Sequence, residues 1–153
     1  MTPRFQYAGR LERLFANLLD TLFLMAPNLL LVKFFGDGGV SLVAGFLCYA
    51  AYYTFFTASD WQATPGKRLL NIFVIMRNGR KPDMTESFER FIVYLLPTLP
   101  LYTSVLSPWM AQTLFVWMSI FWFAPILTTP ERRGIHDTLV GTRVMAGRAG
   151  GTQ

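Results

Sequence analysis

Four long apolar stretches dominate the pattern of the chain, and polar or glycine-rich segments separate each from the next. They run from Leu14 to Phe35, Val40 to Ala58, Phe88 to Leu106 and Met110 to Thr128. A membrane-crossing helix needs about 20 predominantly apolar residues, and each stretch is close to that length. The pattern therefore predicts an all-α membrane protein, a bundle of four transmembrane helices with short cytoplasmic surface elements.

Short connections join the first span to the second and the third to the fourth. The first connection, Gly36 to Gly39, is rich in glycine, and the second consists of Ser107 to Trp109. Because neither is long enough to cross the bundle, both pairs of spans should be antiparallel hairpins. The long connection lies between the second and third spans.

The surface elements are predicted from this long connection and from the tail. Asn71 to Met76 is rich in β-branched and aromatic residues and is expected to form a short strand, with Thr142 to Met145 as its candidate partner at the membrane surface. Asp83 followed three residues later by Glu86 resembles a capping box. This motif predicts that a helix begins near Met84.

The third apolar stretch contains two features that bear on its shape. Glu86 and Arg90 stand four residues apart, a spacing at which helical side chains can form an ion pair. Pro97 and Pro100 each remove a backbone amide, so the helix should kink there and leave carbonyls that need partners. Broken helices can build substrate sites in transporters, although prolines are also common in ordinary membrane helices.

Composition and charge agree with a single membrane domain. Of 153 residues, 52% are hydrophobic and only 15% are charged, while the net charge is +5. The basic residues flank the apolar spans instead of forming one run, which favours membrane orientation over nucleic-acid binding. They precede the first span, fill the central connection and follow the fourth span, whereas Lys33 stands alone on the opposite side. The positive-inside rule therefore predicts that both termini are cytoplasmic.

Other classes of site find little support in the sequence. With one cysteine, Cys48, and one histidine, His136, a closed His/Cys metal site has too few ligands within one chain. No cofactor is expected. The first span is too long for a signal peptide and is interrupted by Asp20, so cleavage is not expected. No nucleophile and base pair stands out, and we therefore do not expect an enzyme.

The first span carries charge directly into the apolar run. Arg10, Arg13, Asn17 and Asp20 recur at steps of 3, 4 and 3, so that a helix places all four on one face. Asp20 would lie about 9 Å inside the membrane end of the helix. A carboxylate at the membrane centre costs about 2.5 to 3.5 kcal/mol on insertion scales, so Asp20 should face protein or water and have a partner.

The partner of Asp20 is open at this point. Arg13 is seven residues away and its side chain leans toward the membrane surface, whereas Asn17 can neighbour both. In one interpretation Asn17 and Asp20 are polar contacts that hold helices together. In the other they take part in moving ions or solutes.

Three motifs in order resemble the RDD family of bacterial membrane proteins, and they cover nearly the whole chain. They are Arg13 with Asp20 in the first span, the loop from Ala63 to Leu70, and the segment from Arg132 to Asp137 followed by Gly141 to Val144. The resemblance implies that residues 1–147 form an RDD-type transmembrane domain, with a short flexible tail at 148–153. It also implies a location in the bacterial cytoplasmic, or inner, membrane.

By this resemblance Arg13, Asp20 and Asp137 are the Arg, Asp and Asp that name the family, for which transport of unknown ligands is suspected. One hypothesis brings Asp20 and Asp137 together with cations at the cytoplasmic mouth, in a supporting cluster of Lys67, Arg68, Arg133 and His136. The alternative is that Asp137 caps a short helix starting at Thr138 and that His136 is a surface side chain.

Two functions follow as hypotheses from these observations. The first is a carrier or ion- or proton-coupled transporter of a small solute or cation, in which Asp20 takes up the cation or proton and Asn17 helps to position it. The second is a non-transporting membrane module that binds or assembles partner proteins. Because four helices enclose little space, transport would need a route between helices or a homo-oligomer within the lipid bilayer.

Overall fold

The first two apolar stretches form a pair of long helices. The computed structural model describes residues 6–102, 105–147 and 149, and it is mostly helical. Helix α1 spans Arg10–Phe35 and α2 spans Gly39–Ala58. Between them Gly36 has a φ of 75°, a left-handed conformation that suits glycine, and its N–H donates to the carbonyl of Val32. The predicted first two spans are therefore present as helices.

A small layer of short elements follows α2. Helix α3 spans Pro65–Leu69, strand β1 spans Ile72–Met76, and strand β2, near the end of the chain, spans Thr142–Ala146. The two strands pair antiparallel with Val74 opposite Val144. The predicted pairing of the central connection with the tail is thus confirmed. The N–H of Ala8 donates to the carbonyl of Val144 at 3.1 Å, so the N-terminal segment also joins this layer.

The best-buried apolar cluster lies in this layer and not between the long helices. Its members are Ala8, Ala16, Ile72, Val74 and Val144, each at most 2% exposed. Four of these residues come from the surface elements, and Ala16 comes from the first turns of α1. The hydrophobic core therefore attaches the layer to the start of α1.

The third apolar stretch is divided into two kinds of helix. Helix α4 spans Met84–Leu95 and continues as a 3₁₀ segment over Leu96–Tyr102. The capping box is confirmed, since the Asp83 side chain accepts from the N–H of Glu86 at 2.8 Å and the Glu86 side chain accepts from the N–H of Asp83 at 3.0 Å. Pro97 has no N–H, which accounts for the change of helix type where α4 ends. The predicted break of the third span, Phe88 to Leu106, is present as this change of helix type, and residues 103 and 104 lie outside the described residues.

The predicted pairing of Glu86 with Arg90 is wrong. Glu86 is instead bound by Arg80, whose guanidinium contacts both carboxylate oxygens. Arg90 points inward, and its Nη2 atom lies 2.6 Å from Oδ1 of Asp137. A buried carboxylate gives a larger electrostatic gain than an exposed one, which explains why the tertiary contact wins over the local one.

The fourth apolar stretch forms α5, Pro108–Thr128, and a short helix α6, Ile135–Val140, follows it. Within the described residues, three helices are long and apolar enough to cross a membrane: α1, α2 and α5. Only 11%, 22% and 6% of their most apolar windows are buried, so most of their surface faces outward. Such faces suit contact with lipid. The predicted tail at 148–153 lies, apart from residue 149, outside the described residues.

Candidate functional site

Asp20 is fully buried and accepts three hydrogen bonds. Its Oδ1 atom accepts from the hydroxyl of Tyr52 at 2.7 Å and from the N–H of Gly66 at 2.8 Å, while Oδ2 accepts from the hydroxyl of Thr64 at 2.5 Å. Thr64 and Gly66 flank Pro65 at the start of α3. The carboxylate of α1 thus satisfies the N-terminal N–H of α3 and carries the charge that a helix N-terminus favours.

Gly66 allows this close approach. A Cβ atom at this position would lie 2.4 Å from the carbonyl oxygen of Ala16 and 2.7 Å from Oδ1 of Asp20. Any side chain would therefore push α3 away from the backbone of α1. Pro65, whose fixed φ suits the first position of a helix, starts the turn that brings Gly66 into place.

Asp137 lies at the centre of a second buried cluster, on α6. Its Oδ2 accepts from Nη1 of Arg13 at 3.2 Å, and its Oδ1 accepts from Nε and Nη2 of Arg90 at 3.1 and 2.6 Å. The hydroxyl of Thr142 donates to Oδ1 at 3.1 Å. Burial alone would raise the pKa of the Asp137 carboxyl, but the neighbouring His136, Arg90 and Arg13 outweigh it and hold the pKa well below its usual range. One carboxylate therefore joins α1, α4 and α6.

His136 is buried beside this carboxylate. Its Nε2 lies 3.4 Å from Oδ1 of Asp137, and the ring packs edge-on against Tyr94 and Phe123. Burial lowers the pKa of His136 to about 4, although Asp137 acts in the opposite direction, so the ring is neutral at pH 7. The interpretation of His136 as a surface side chain is wrong. Asp137 does not cap a helix starting at Thr138 either, because α6 begins at Ile135 with Gly134 as its N-cap.

The structure brings only one of the three candidate cations to the cluster. Lys67 is 6% exposed, and burial first, then the charge of Arg90, lowers its pKa to about 8. Arg68, the next residue, is exposed and stacks on the ring of Trp61 at 4.2 Å. Arg133 pairs with Glu131. Within the described part of the chain, neither Arg68 nor Arg133 forms an ion pair with Asp20 or Asp137.

A small cavity lies between the long helices and α6, with about 40 Å³ of space for water-sized molecules. Because one water needs about 10 to 15 Å³ by this measure, the cavity has room for roughly three waters. Asn17 lines it together with Arg13, whereas Asp20 is not in its wall. The remaining lining residues are Tyr53, Thr57, Lys67, Ser87, Arg90, Phe91, Tyr94, Phe123, Ile126, His136, Asp137 and Val144.

Sequence reasoning missed several residues of this site, above all Arg90, Ser87 and Thr64. The spacing favours a local pair of Arg90 with Glu86, but Arg90 also stands at the start of an apolar stretch, where an arginine needs a buried partner. That position was the signal that could have identified it. For Ser87 and Thr64 the sequence carries no comparable signal, because a single hydroxyl is common at helix starts.

Comparisons with known proteins agree with this arrangement of motifs. The model of the RDD family matches residues 7–141. The uncharacterized protein YxaI of Bacillus subtilis (strain 168) is 24% identical over 94 residues, which are 61% of this chain and 50% of that protein. The chain thus spans about half the length of this curated relative. No solved structure matches the chain.

Proposed function

Because the chain belongs to the RDD family, we propose that it crosses the bacterial cytoplasmic membrane four times and carries a small ion or solute across it, coupled to the movement of protons or ions. In this proposal the four spans are α1, α2, α4 with its 3₁₀ segment, and α5. Both termini and the layer formed by α3, α6 and the two strands face the cytoplasm.

The length of the third element supports four spans. Helix α4 has 12 residues and the 3₁₀ segment has 7. Counted from Phe88, where the apolar stretch begins, they extend about 12 and 14 Å at 1.5 and 2.0 Å per residue, which together approach the 30 Å thickness of the hydrocarbon core. The distribution of Lys and Arg supports the orientation, since Lys33 alone stands at the opposite end of the spans.

The observation that carries the transport proposal is the cavity whose wall includes Arg13, Asn17, Lys67 and His136. A pKa of about 8 for Lys67 means that this side chain can release and regain a proton near neutral pH. We therefore assign proton exchange to Lys67 in the carrier.

Asp20 fits this role less well than Lys67 does. Its two oxygens already accept hydrogen bonds from Tyr52, Thr64 and Gly66, so a cation or proton would have to displace existing partners. The contacts support the interpretation of Asp20 as the residue that holds α3 against α1. Its role as a coupling site remains a hypothesis that a variant can test.

The outward faces of α1, α2 and α5 favour a second candidate function. Their apolar windows are no more than 22% buried, which leaves large surfaces for lipid, a second copy or a partner protein. A non-transporting module that assembles partners would use these faces. Passage through one copy would instead need the small cavity to open between helices, or a homo-oligomer to complete the route.

Flux into liposomes that contain only the purified protein separates the two functions. We expect uptake of at least one solute among sodium, potassium, protons, chloride and small metabolites, relative to protein-free liposomes. Lys67→Gln should reduce this flux by more than about tenfold, whereas Arg68→Gln, which removes the same charge one residue away, should leave it unchanged. Absence of flux for every solute would favour the module.

A further inference from the structure

The cavity has an excess of positive charge in its wall. Arg13, Lys67 and Arg90 are each at least 92% buried and face the single carboxylate of Asp137. Asp20 is the second buried carboxylate nearby, but its oxygens are occupied by the hydrogen bonds described above and it does not line the cavity. A site with three cations and one carboxylate repels a further cation and attracts an anion.

Several polar atoms around the cavity have no hydrogen-bond partner within the described residues. They include Nε of Arg13 and the hydroxyl of Ser87, both in the cavity wall. In the same part of the chain, Lys67 forms neither an ion pair nor a hydrogen bond, and its Nζ lies 6.0 Å from the centre of the Tyr53 ring. Buried polar groups are nearly always satisfied, so the two unpaired atoms of Arg13 and Ser87, beside an ammonium group without an ion pair, indicate a molecule that binds between them.

The size and the donors limit what this molecule can be. About 40 Å³ of space for water-sized molecules admits a small ion with one or two waters but not a sugar, nucleotide or amino acid. Arg13, Lys67 and Ser87 all donate hydrogen bonds, which is the chemistry that holds an anion.

His136 contributes differently. Because Nε2 faces Oδ1 of Asp137, the other nitrogen, Nδ1, of the neutral ring is an acceptor, and it has no partner among the described residues. An acceptor would contact a water beside an anion and not the anion itself. The volume leaves room for such a water.

We propose that this cavity binds one small monovalent anion of the size of chloride, held by Lys67, the hydroxyl of Ser87 and the guanidinium of Arg13. The anion balances the positive excess left by Asp137. Binding does not depend on whether the protein transports, so the proposal stands apart from the carrier function.

A chloride titration of the purified protein in detergent tests the site. Sodium gluconate is replaced by sodium chloride at constant ionic strength, and the midpoint of thermal unfolding is followed. A ligand that binds only the folded state raises this midpoint and saturates it as the site fills. We expect a saturable rise with chloride and none with sulfate, which is larger and divalent.

Three variants make the test specific. Lys67→Gln and Ser87→Ala should each weaken apparent chloride affinity by about tenfold or more, while Arg68→Gln, a matched loss of charge on the exposed side of α3, should leave it unchanged. Ser87→Ala keeps every charge, so it decides the matter if Lys67→Gln does not fold. No saturable effect of chloride on the wild-type protein, or equal losses in Arg68→Gln and Lys67→Gln, would overturn the proposal. Flux without chloride binding would overturn it as well and leave the carrier proposal standing.

Discussion

Replacing Asp137 with asparagine should destabilise the protein more than any exposed change of charge. The carboxylate is fully buried and is the common partner of Arg13 and Arg90. Asparagine has nearly the same size, but its NH2 group replaces one of the two acceptor oxygens, so the change removes the charge and one acceptor. Two buried guanidinium groups then lose their only ion-pair partner within the described part of the chain.

The magnitude follows from the cost of an uncompensated buried charge. Breaking a buried pair by removing one partner typically costs about 3 to 5 kcal/mol, and here two cations are stranded at once. Whole domains are stable by about 5 to 15 kcal/mol, so the variant should lose a large share of its stability. The depressed pKa of the Asp137 carboxyl has the same cause, since its charged form is the one the site favours.

The assay is equilibrium or thermal unfolding in detergent, in gluconate buffer so that chloride does not replace the missing charge. Asp60→Asn is the matched control, because Asp60 pairs with Lys81 at an exposed position. The control should unfold like the wild-type protein. Equal stability of Asp137→Asn and the wild type would refute the assignment of Asp137 as the charge that holds α1, α4 and α6 together.

Three further predictions follow from the same contacts. Gly66→Ala should cost about 3 kcal/mol of stability, because the new Cβ meets a backbone carbonyl that cannot rotate away. If Asp20 holds α3, Asp20→Asn should lower the folded yield and leave the flux per folded molecule intact. If Asp20 is a coupling site, the variant should fold but lose flux or the pH dependence of flux. His136, with a pKa lowered to about 4 from 6.5, binds its proton more weakly in the folded state, so stability should be lost as the pH falls from about 6.5 to 4. The loss attributable to His136 is about 3 kcal/mol, and His136→Gln should remove this part of the pH dependence.

Each of these three substitutions has its own control or contrary outcome. Gly39→Ala introduces a Cβ with nothing within 4 Å and should be tolerated, so a similar loss in both glycine variants would contradict the clash at Gly66. An Asp20→Asn variant with normal yield, stability and flux would exclude both roles of Asp20. A pH profile of stability unchanged by His136→Gln would show that another group titrates in that range.

The apolar pattern predicted the long helices because membrane spans depend on length and composition alone. It predicted the surface strands for a related reason, since Ile72–Met76 has the β-branched composition of a strand whatever surrounds it. The two prolines predicted a break in the third stretch, but hydropathy did not predict that the chain continues there as a 3₁₀ segment. Local composition thus determines where these helices and strands form, and proline determines where the helical hydrogen-bond pattern changes.

The candidate site was only partly accessible from the sequence. The requirement that Asp20 have a partner could be inferred from the cost of burying charge, and Tyr52, Thr64 and Gly66 meet it. The contact of Asp137 with Arg13 and Arg90 could not be inferred from the sequence. Asp137 is 124 positions from Arg13 and 47 from Arg90, so the three meet only through the tertiary fold. Sequence identifies which charges need partners, whereas packing selects the partners.

The seven-residue spacing of Arg13 and Asp20 explains how one helix positions both α3 and α6. Two turns separate them by about 10 Å along α1, so that Asp20 holds α3 while Arg13 reaches α6. The attachment of α3 is close, because a Cβ atom at Gly66 would lie 2.4 Å from the carbonyl oxygen of Ala16. Lys67, the next residue, forms no hydrogen bond or ion pair within the described residues and can move without breaking one. A change in what the cavity contains should therefore move the Lys67 side chain first and leave the contact between Asp20 and α3 intact.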